Sequence, residues 1–164
     1  VLRGRGFFMS QPSKPEQVEQ IHGSSLPMAL LLEADPSIRL IEGYRDTPHA
    51  WCIKDQGEIV AAAILQRRNA RDWELMNIAV QPSHQGHGLG ATLLSAVIDY
   101  VRQQGGQTLY VATGTIGYPI FFYQRAGFRV VAVESDYFLH HYDEALFEDG
   151  LQHKDRLILS LALN

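Results

Sequence analysis

The stretch from Trp73 to Val101 constrains the fold more than any other part of the chain. Trp73–Val80 reads as a β-rich strand closed by Pro82, which cannot donate to a central ladder. Gln85-Gly86-His87-Gly88-Leu89-Gly90 follows as a glycine-rich turn. Behind it Leu89, Leu93, Leu94, Val97, Ile98 and Val101 recur at helical spacing and form one apolar stripe, ended by Gly105-Gly106. A strand that turns tightly into a helix with one apolar face needs a sheet for that face to cover.

The other segments fit around this unit. Leu26 to Leu32 predicts a helix opened by Ser24 or Ser25, with Pro27 near its first turn, and Asp35-Pro36 opens a second helix running to about Gly43. Trp51–Ile53 and Ile59–Leu65, joined by Asp55-Gln56-Gly57, read as a hairpin, and Arg67 to Arg71 as a polar turn. Thr108–Thr113 is a short strand. Pro119 opens a short helix through Ala126, stopped by Gly127. Phe128–Val133 is a nearly continuous apolar strand, and Leu157–Leu163 closes the chain. The order describes a mixed α/β or α+β domain around one sheet.

Composition narrows the class. The 164 residues suit one domain; 46% hydrophobic and 20% charged residues exclude a disordered chain, a collagen-like repeat and a coiled coil. Fourteen basic against eighteen acidic residues, a net charge of −4, argue against a nucleic-acid partner. The single cysteine, Cys52, excludes an internal disulfide and a cysteine-based zinc site, and its apolar strand predicts a buried, inert thiol. No run reaches the roughly 18 apolar residues of a spanning helix, so no membrane partner is expected. Val1 to Pro12 holds Arg3 and Arg5 but no apolar signal core. Met9 reads as the natural start, residues 1–9 as a lead-in outside the fold, residues 10–164 as the single domain, and the cytoplasm as the compartment.

The turn carries the chemistry. Gly86, Gly88 and Gly90 strip it of side chains, so backbone N–H groups can approach a ligand at a helix N-terminus, where unpaired donors and the helix dipole favour an anion. Two readings fit: a phosphate or pyrophosphate cradle, and a tight strand-to-helix turn needing glycine for geometry alone. A Walker A loop is absent, since no Gly-Lys-Ser or Gly-Lys-Thr occurs. The dinucleotide fingerprint matches formally as Gly86-x-Gly88-x-x-Ala91, but Thr108, Leu109 and Tyr110 stand where its acidic partner belongs, which leaves a nucleotide-binding oxidoreductase without support there.

The turn and its flanks resemble a known family. Gln85-Gly86-His87-Gly88-Leu89-Gly90 is similar to the Gln/Arg-x-x-Gly-x-Gly/Ala signature of the GNAT superfamily of CoA-dependent N-acyltransferases. Asn77-Ile78-Ala79-Val80-Gln81-Pro82 resembles the strand before that signature, and Phe121-Phe122-Tyr123-Gln124-Arg125-Ala126-Gly127-Phe128 resembles the family's Phe/Leu-Tyr-x-x-x-Gly-Phe box. The resemblance covers about Ala50 to Val133 and is weaker outside it.

It implies a central mixed sheet of about six or seven strands, splayed in the middle and flanked by about four helices. It implies acetyl-CoA held between the two splayed parallel strands. Gln85, Gly86, His87, Gly88, Leu89 and Gly90 would give amides to the pyrophosphate, with Ala91 and Thr92 just inside the helix. Ile78 and Val80 would offer main-chain groups to the pantetheine arm, as to an added strand. Tyr123 matches the family tyrosine near the thioester sulfur, placed to protonate the departing thiolate; its other reading is a core aromatic beside Phe121 and Phe122. Where the family often has Asn, this chain has Gly114-Thr115-Ile116-Gly117, so Thr115 is the stand-in.

The implied activity is transfer of an acetyl group from acetyl-CoA to a primary amine, on a small molecule or a protein. The amine attacks as the neutral base, and a backbone N–H near Val80 would hold the oxyanion. Glu74 is the candidate base: it precedes Val80 by an even offset, so the two share a face if no bulge intervenes. The other reading pairs Glu74 with Arg67 or Arg71. A catalytically silent acyl-CoA-binding regulatory module is the alternative function. No metal is expected; His84 and His87 read as polar turn residues, and His140-His141 as structural or solvated. Glu134 to Asp155 holds seven acidic residues against one lysine, with Tyr137, Phe138, Tyr142 and Phe147. Three readings stay open for it: a rim attracting a cationic amine, a solvated segment, and a homodimer contact.

Overall fold

Alternating burial along the middle of the chain builds one seven-stranded sheet in the computed structural model, which describes residues 17–164. The expectations for residues 1–9 and for the segment 10–16 lie outside the described residues. The elements run β1 (Val18–Ile21), α1 (Met28–Leu31), α2 (Ile38–Tyr44), β2 (Ala50–Asp55), β3 (Glu58–Arg67), β4 (Asp72–Val80), α3 (Leu89–Gln103) and β5 (Thr108–Gly114). They continue with α4 (Tyr118–Arg125), β6 (Arg129–Glu134), α5 (Tyr137–His141), β7 (Phe147–Glu148), β8 (Leu151–Gln152) and β9 (Arg156–Ala162). The sheet order is β1-β2-β3-β4-β5-β9-β6, and β7-β8 form a separate small hairpin. Among the described residues, only the β4–β5 neighbours in the large sheet are parallel.

Each face of the sheet carries its own core. The apolar stripe of α3 (Leu89, Leu93, Leu94, Val97 and Val101) covers Trp51, Ile53, Val60, Ala61, Ala63, Leu65, Trp73 and Leu75. On the other face Leu30, Leu31 and Ile41 of α1 and α2 cover Ala50, Cys52, Ala62, Ile64 and Ala79. β3 is therefore buried on both sides from Val60 to Leu65. Its small Ala61-Ala62-Ala63 run lets both helical layers approach, and each large aliphatic side chain sealed there contributes about 1.5–3 kcal/mol. Cys52 is fully buried, and burial pushes its thiol above the ordinary value.

Several expectations need correcting. β1 went unread in the sequence; it is a short edge strand paired with β2. α1 is a single turn that starts after Pro27, while Ser24 and Ser25 lie in a preceding 3-10 turn whose cap is the His22 side chain. α2 is capped by Ser37, whose Oγ accepts from the Leu40 amide at 3.2 Å, and Asp35 Oδ1 accepts in turn from the Ser37 amide at 3.1 Å. Pro36 has no N–H, so the aspartate caps the cap. The apolar strand β6 is an edge and not a core strand. β9 inserts between it and β5, leaving Val130, Val131 and Val133 45–58% exposed. His140 and His141, given no element in the sequence reading, sit in the last turn of α5.

Candidate functional site

The site begins with a break in the sheet. β4 and β5 pair from Asp72↔Thr108 to Leu75↔Val111 and then part. The cause lies in β4 itself. Ile64 is opposite Asn77 but Leu65 is opposite Leu75, so Met76 is an extra residue, a bulge. On its other edge β4 stays paired with β3 as far as Val80↔Ala61. The Gln81 amide donates to the Val60 carbonyl at 2.8 Å, and antiparallel alternation then turns the N–H and C=O of Ile78 and Val80 into the gap. Gln85 Nε2 donates to the Val80 carbonyl at 3.0 Å, so Val80 has its N–H left to offer.

The glycine turn closes one end of the gap. Gly88 sits at φ 82°, a left-handed conformation that favours glycine, and precedes α3 without a side-chain cap. The first helical bond runs from the Thr92 amide to the Gly88 carbonyl at 3.0 Å, and the Thr92 hydroxyl donates to the same oxygen. Six consecutive amides, residues 86–91, have no acceptor among the described residues. The Gln85 amide is not one of them, since it turns back to the Pro82 carbonyl. Gln85 thus ties the turn to β4 through its side chain.

The gap opens into a cleft of about 1530 Å³. Its floor is Leu75–Val80 and Val111–Gly114, and one end is the turn from His84 to Ala91. The far end reaches residues 32–36 on one side and 145–148 on the other. Tyr123 comes from α4, packed edge-on against Phe122 and Phe128 at 5.2 and 5.6 Å. Tyr123 is among the residues lining the cleft, and its hydroxyl has no partner among the described residues. Burial pushes its pKa well above the ordinary tyrosine value, so it stays a proton donor.

Four expected residues stand elsewhere or are otherwise engaged. Thr115 is exposed and outside the cleft, whose rim at this point is Gly114, Ile116 and Tyr118. His87 is exposed with its ring away from the lining, and Thr92 spends its hydroxyl on the turn. Glu74 does not share a face with Val80. Trp73 and Leu75 join the α3 core, so Glu74 points to the opposite side, while beyond the bulge Val80 packs against the α3 core. Both Glu74 oxygens are taken by Arg68, at 2.7 and 3.2 Å, and Arg68 also covers the Tyr110 ring. The pairing reading named the wrong arginine: Arg67 lies over Trp73 instead.

Sequence reasoning missed residues at the far end of the cleft and behind its wall. Asn77 is 3% exposed and donates from Nδ2 to the Leu31 carbonyl and the Tyr44 hydroxyl, both at 3.0 Å. Asp35 accepts from the hydroxyls of Tyr44 and Tyr142, at 3.1 and 2.9 Å, and so joins the α1–α2 loop to the segment after α5. Desolvation first, then Asp35, pushes both tyrosines well above their ordinary range. Glu148 and His153 line the cleft and bond to each other at 2.9 Å. Apart from Asn77, which opens the quoted strand but was given no role, none of these stands in a motif, because the contacts cross up to 107 positions of sequence. Among the described residues no group of three or more metal-ligating side chains gathers, and no helix is long and apolar enough to cross a membrane.

A mixed sheet parted between two parallel strands, with a run of unpaired amides at a helix start facing the gap, is the architecture of an enzyme that takes acyl groups from coenzyme A. The chain belongs to the acetyltransferase (GNAT) family, whose family model matches residues 16–128. It is similar to the uncharacterized N-acetyltransferase YvbK of Bacillus subtilis, 34% identical over 82% of this chain and 87% of that one. Among solved structures it resembles an IAA acetyltransferase from Bacillus cereus, with 33% identity, a TM-score of 0.83, and 90% and 99% of the two chains covered. It also resembles a GNAT family acetyltransferase from Elizabethkingia anophelis with acetyl-CoA bound, with 29% identity, a TM-score of 0.84, and 92% and 100% covered. The protein is an acetyl-CoA-dependent N-acetyltransferase, and the splayed sheet anticipated from the resemblance is present.

Proposed function

We propose that acetyl-CoA lies along the β4–β5 gap, and that the acceptor is a small amine carrying positive charge. The diphosphate rests on the amides of Gly86, His87, Gly88, Leu89, Gly90 and Ala91, with Thr92 holding the turn from behind. The pantetheine arm bonds to the main chain of Ile78 as a short added strand, which leaves the Val80 N–H for the thioester carbonyl. The thioester lies beside Tyr123. The observation that carries this reading is the run of unpaired amides at 86–91 opening on a gap between parallel strands.

The chemistry follows from those positions. An amine nitrogen attacks the thioester carbonyl, and the Val80 N–H is the nearest free main-chain donor for the oxyanion that forms. As the C–S bond breaks, the sulfur leaves as a thiolate, and Tyr123 gives it a proton. The acceptor enters from the far end. There Glu33 and Glu148 supply negative charge, and Phe138 and Phe147 supply rings that an ammonium can face. Glu74 ties Arg68 to β4 in this reading and takes no part in proton transfer.

Calorimetry with acetyl-CoA, CoA and NAD, followed by thiol release with n-butylamine, benzylamine, spermidine and an alanine-starting peptide, tests the proposal. The expected result is binding of both CoA species and turnover with the small cationic amines. Turnover with the peptide alone overturns the acceptor class. Binding of NAD alone overturns the cradle, and CoA binding without any turnover would indicate a silent module.

A further inference from the structure

The two walls at the far end of the cleft are tied to each other from behind. One wall is the α1–α2 loop: residues 32–34 and 36 line the cleft, and Asp35 between them does not. Its carboxylate is taken instead by the Tyr44 and Tyr142 hydroxyls, at 3.1 and 2.9 Å, and by the Ser37 amide at 3.1 Å. The opposite wall, residues 145–148, begins just beyond Tyr142. Arg39 of α2 adds a second tie, donating from Nη2 to the His141 carbonyl at 3.3 Å. Both ties join the same two pieces of chain, 107 and 102 positions apart in sequence.

The second wall has little else to hold it there. Residues 142–145 belong to no helix or strand and, among the described residues, make no main-chain hydrogen bond. The next such bond is at Leu146, whose carbonyl accepts from the His153 amide at 2.8 Å. The first wall is anchored. The Tyr44 hydroxyl that donates to Asp35 also accepts from Asn77 Nδ2 at 3.0 Å, and Asn77 is buried in β4 beside Ile78. Asn77, Tyr44, Asp35 and Tyr142 therefore form one line of hydrogen bonds from the strand that bounds the gap, through one wall, to the root of the other. The carboxylate that accepts from both phenols is its strong member, because bonds to a charged acceptor outweigh neutral ones. Ring packing carries the line back to the cleft: Phe138, which lines it, packs on Tyr142 with centroids 5.5 Å apart and on His153 at 5.2 Å.

We infer that the Asp35–Tyr142 bond, seconded by Arg39, clasps the two walls together and so sets the bulk of the amine that the cleft admits. The inference rests on the acceptor entering at this end, as proposed above. A slender alkylamine passes between the walls at their present separation. A bulkier one fits only if they part, and parting them breaks the clasp and leaves the Asp35 carboxylate short of a donor. Selectivity is a difference between two binding free energies, and here the cost falls on the bulky acceptor alone. Asp35 and Tyr142 stand outside the lining of the cleft, so they are positioning residues and not catalytic ones.

The test compares Tyr142→Phe and Arg39→Ala with the wild type, using n-butylamine and adamantylmethylamine, two primary alkylamines that differ in bulk. Tyr142→Phe keeps the ring and its packing and removes only the donor. It should raise kcat/KM for adamantylmethylamine relative to n-butylamine by about tenfold, the scale of one hydrogen bond to a charged acceptor. Arg39 is exposed, and Arg39→Ala should move the same ratio in the same direction by about threefold. With n-butylamine kcat should stay within about threefold of wild type in both variants, and the acetyl-CoA dissociation constant should be unchanged. A bond that served stability alone would lower the melting temperature and leave the ratio where it was. A ratio unmoved in Tyr142→Phe, or equal losses of kcat with the two amines, therefore overturns the inference. If Tyr142→Phe fails to fold, Arg39→Ala decides it, and a ratio equal to that of the wild type overturns it there. Turnover of n-butylamine with the ratio unmoved strikes the clasp alone. Turnover of neither amine by a wild type that binds acetyl-CoA strikes the acceptor reading, and the inference with it.

Discussion

Placing a carboxylate at position 88 tests the cradle directly. Gly88 lies at φ 82°, and a Cβ there meets no atom within 4 Å. Gly88→Asp therefore brings no clash. Its conformational cost is about 1 kcal/mol for a left-handed residue, and aspartate tolerates that region better than most. The new carboxylate also stands where a helix cap would accept from orphan amides, which returns about 0.5–1 kcal/mol. Thermal stability should then change by only a few degrees. Affinity is a different matter. A carboxylate about 4–5 Å from a phosphate charge opposes it by about 3–4 kcal/mol at an effective dielectric of 20. The open cleft screens part of this, leaving a loss of about 2–3 kcal/mol, roughly 30- to 150-fold in the dissociation constant for acetyl-CoA. Gly88→Asn has the same shape without the charge and should lose less than about tenfold. Calorimetry of both variants from about 0.05 to about 0.5 M salt should show their difference narrowing as screening grows. An aspartate variant that binds within threefold of wild type, or that matches the asparagine variant at low salt, would refute the argument.

Other outcomes follow from the same geometry. Tyr123→Phe should lower kcat by about 10- to 100-fold with little change in acetyl-CoA affinity, and in the wild type the alkaline limb should show no fall at the ordinary tyrosine value near 10, because burial holds the phenol protonated beyond it. Gly90→Ala puts a methyl 3.5 Å from Phe122, an ordinary contact inside a helix, and should raise stability by about 0.5–1 kcal/mol in a denaturant titration. Glu74→Gln should cost about 0.5–1 kcal/mol by loosening Arg68, yet leave the pH dependence of kcat in place; a displaced acidic limb would return Glu74 to the list of proton acceptors.

Much of the fold was legible because its strongest signals are local. The stripe on α3, the glycines at 86–90 and the apolar run of β3 state their own periods, and the structure has each of them. What escaped is what depends on partners. β1 lacks a pattern of its own and exists by pairing with β2. The exposure of β6 follows from β9 entering beside it, which no property of Arg129–Glu134 announces. Within the site, the turn and the gap-facing Ile78 and Val80 were readable from the motif and the family resemblance it carries. The Glu74 reading failed at a single point, the extra residue Met76, which alternation alone cannot detect. His153, Glu148, Asn77 and Asp35 were invisible because they meet only through the assembled chain.

The Met76 insertion has a further meaning. It splits Asp72–Val80 into two short rungs of opposite phase: before it odd positions belong to the α3 layer, after it even ones do. Deleting that one residue would restore a uniform phase with Ile78 and Val80 still on the α3 layer, and would take away the kink that parts β4 from β5, closing the very space in which a thioester could lie. For this chain a gain in sheet regularity would be a loss of enzyme.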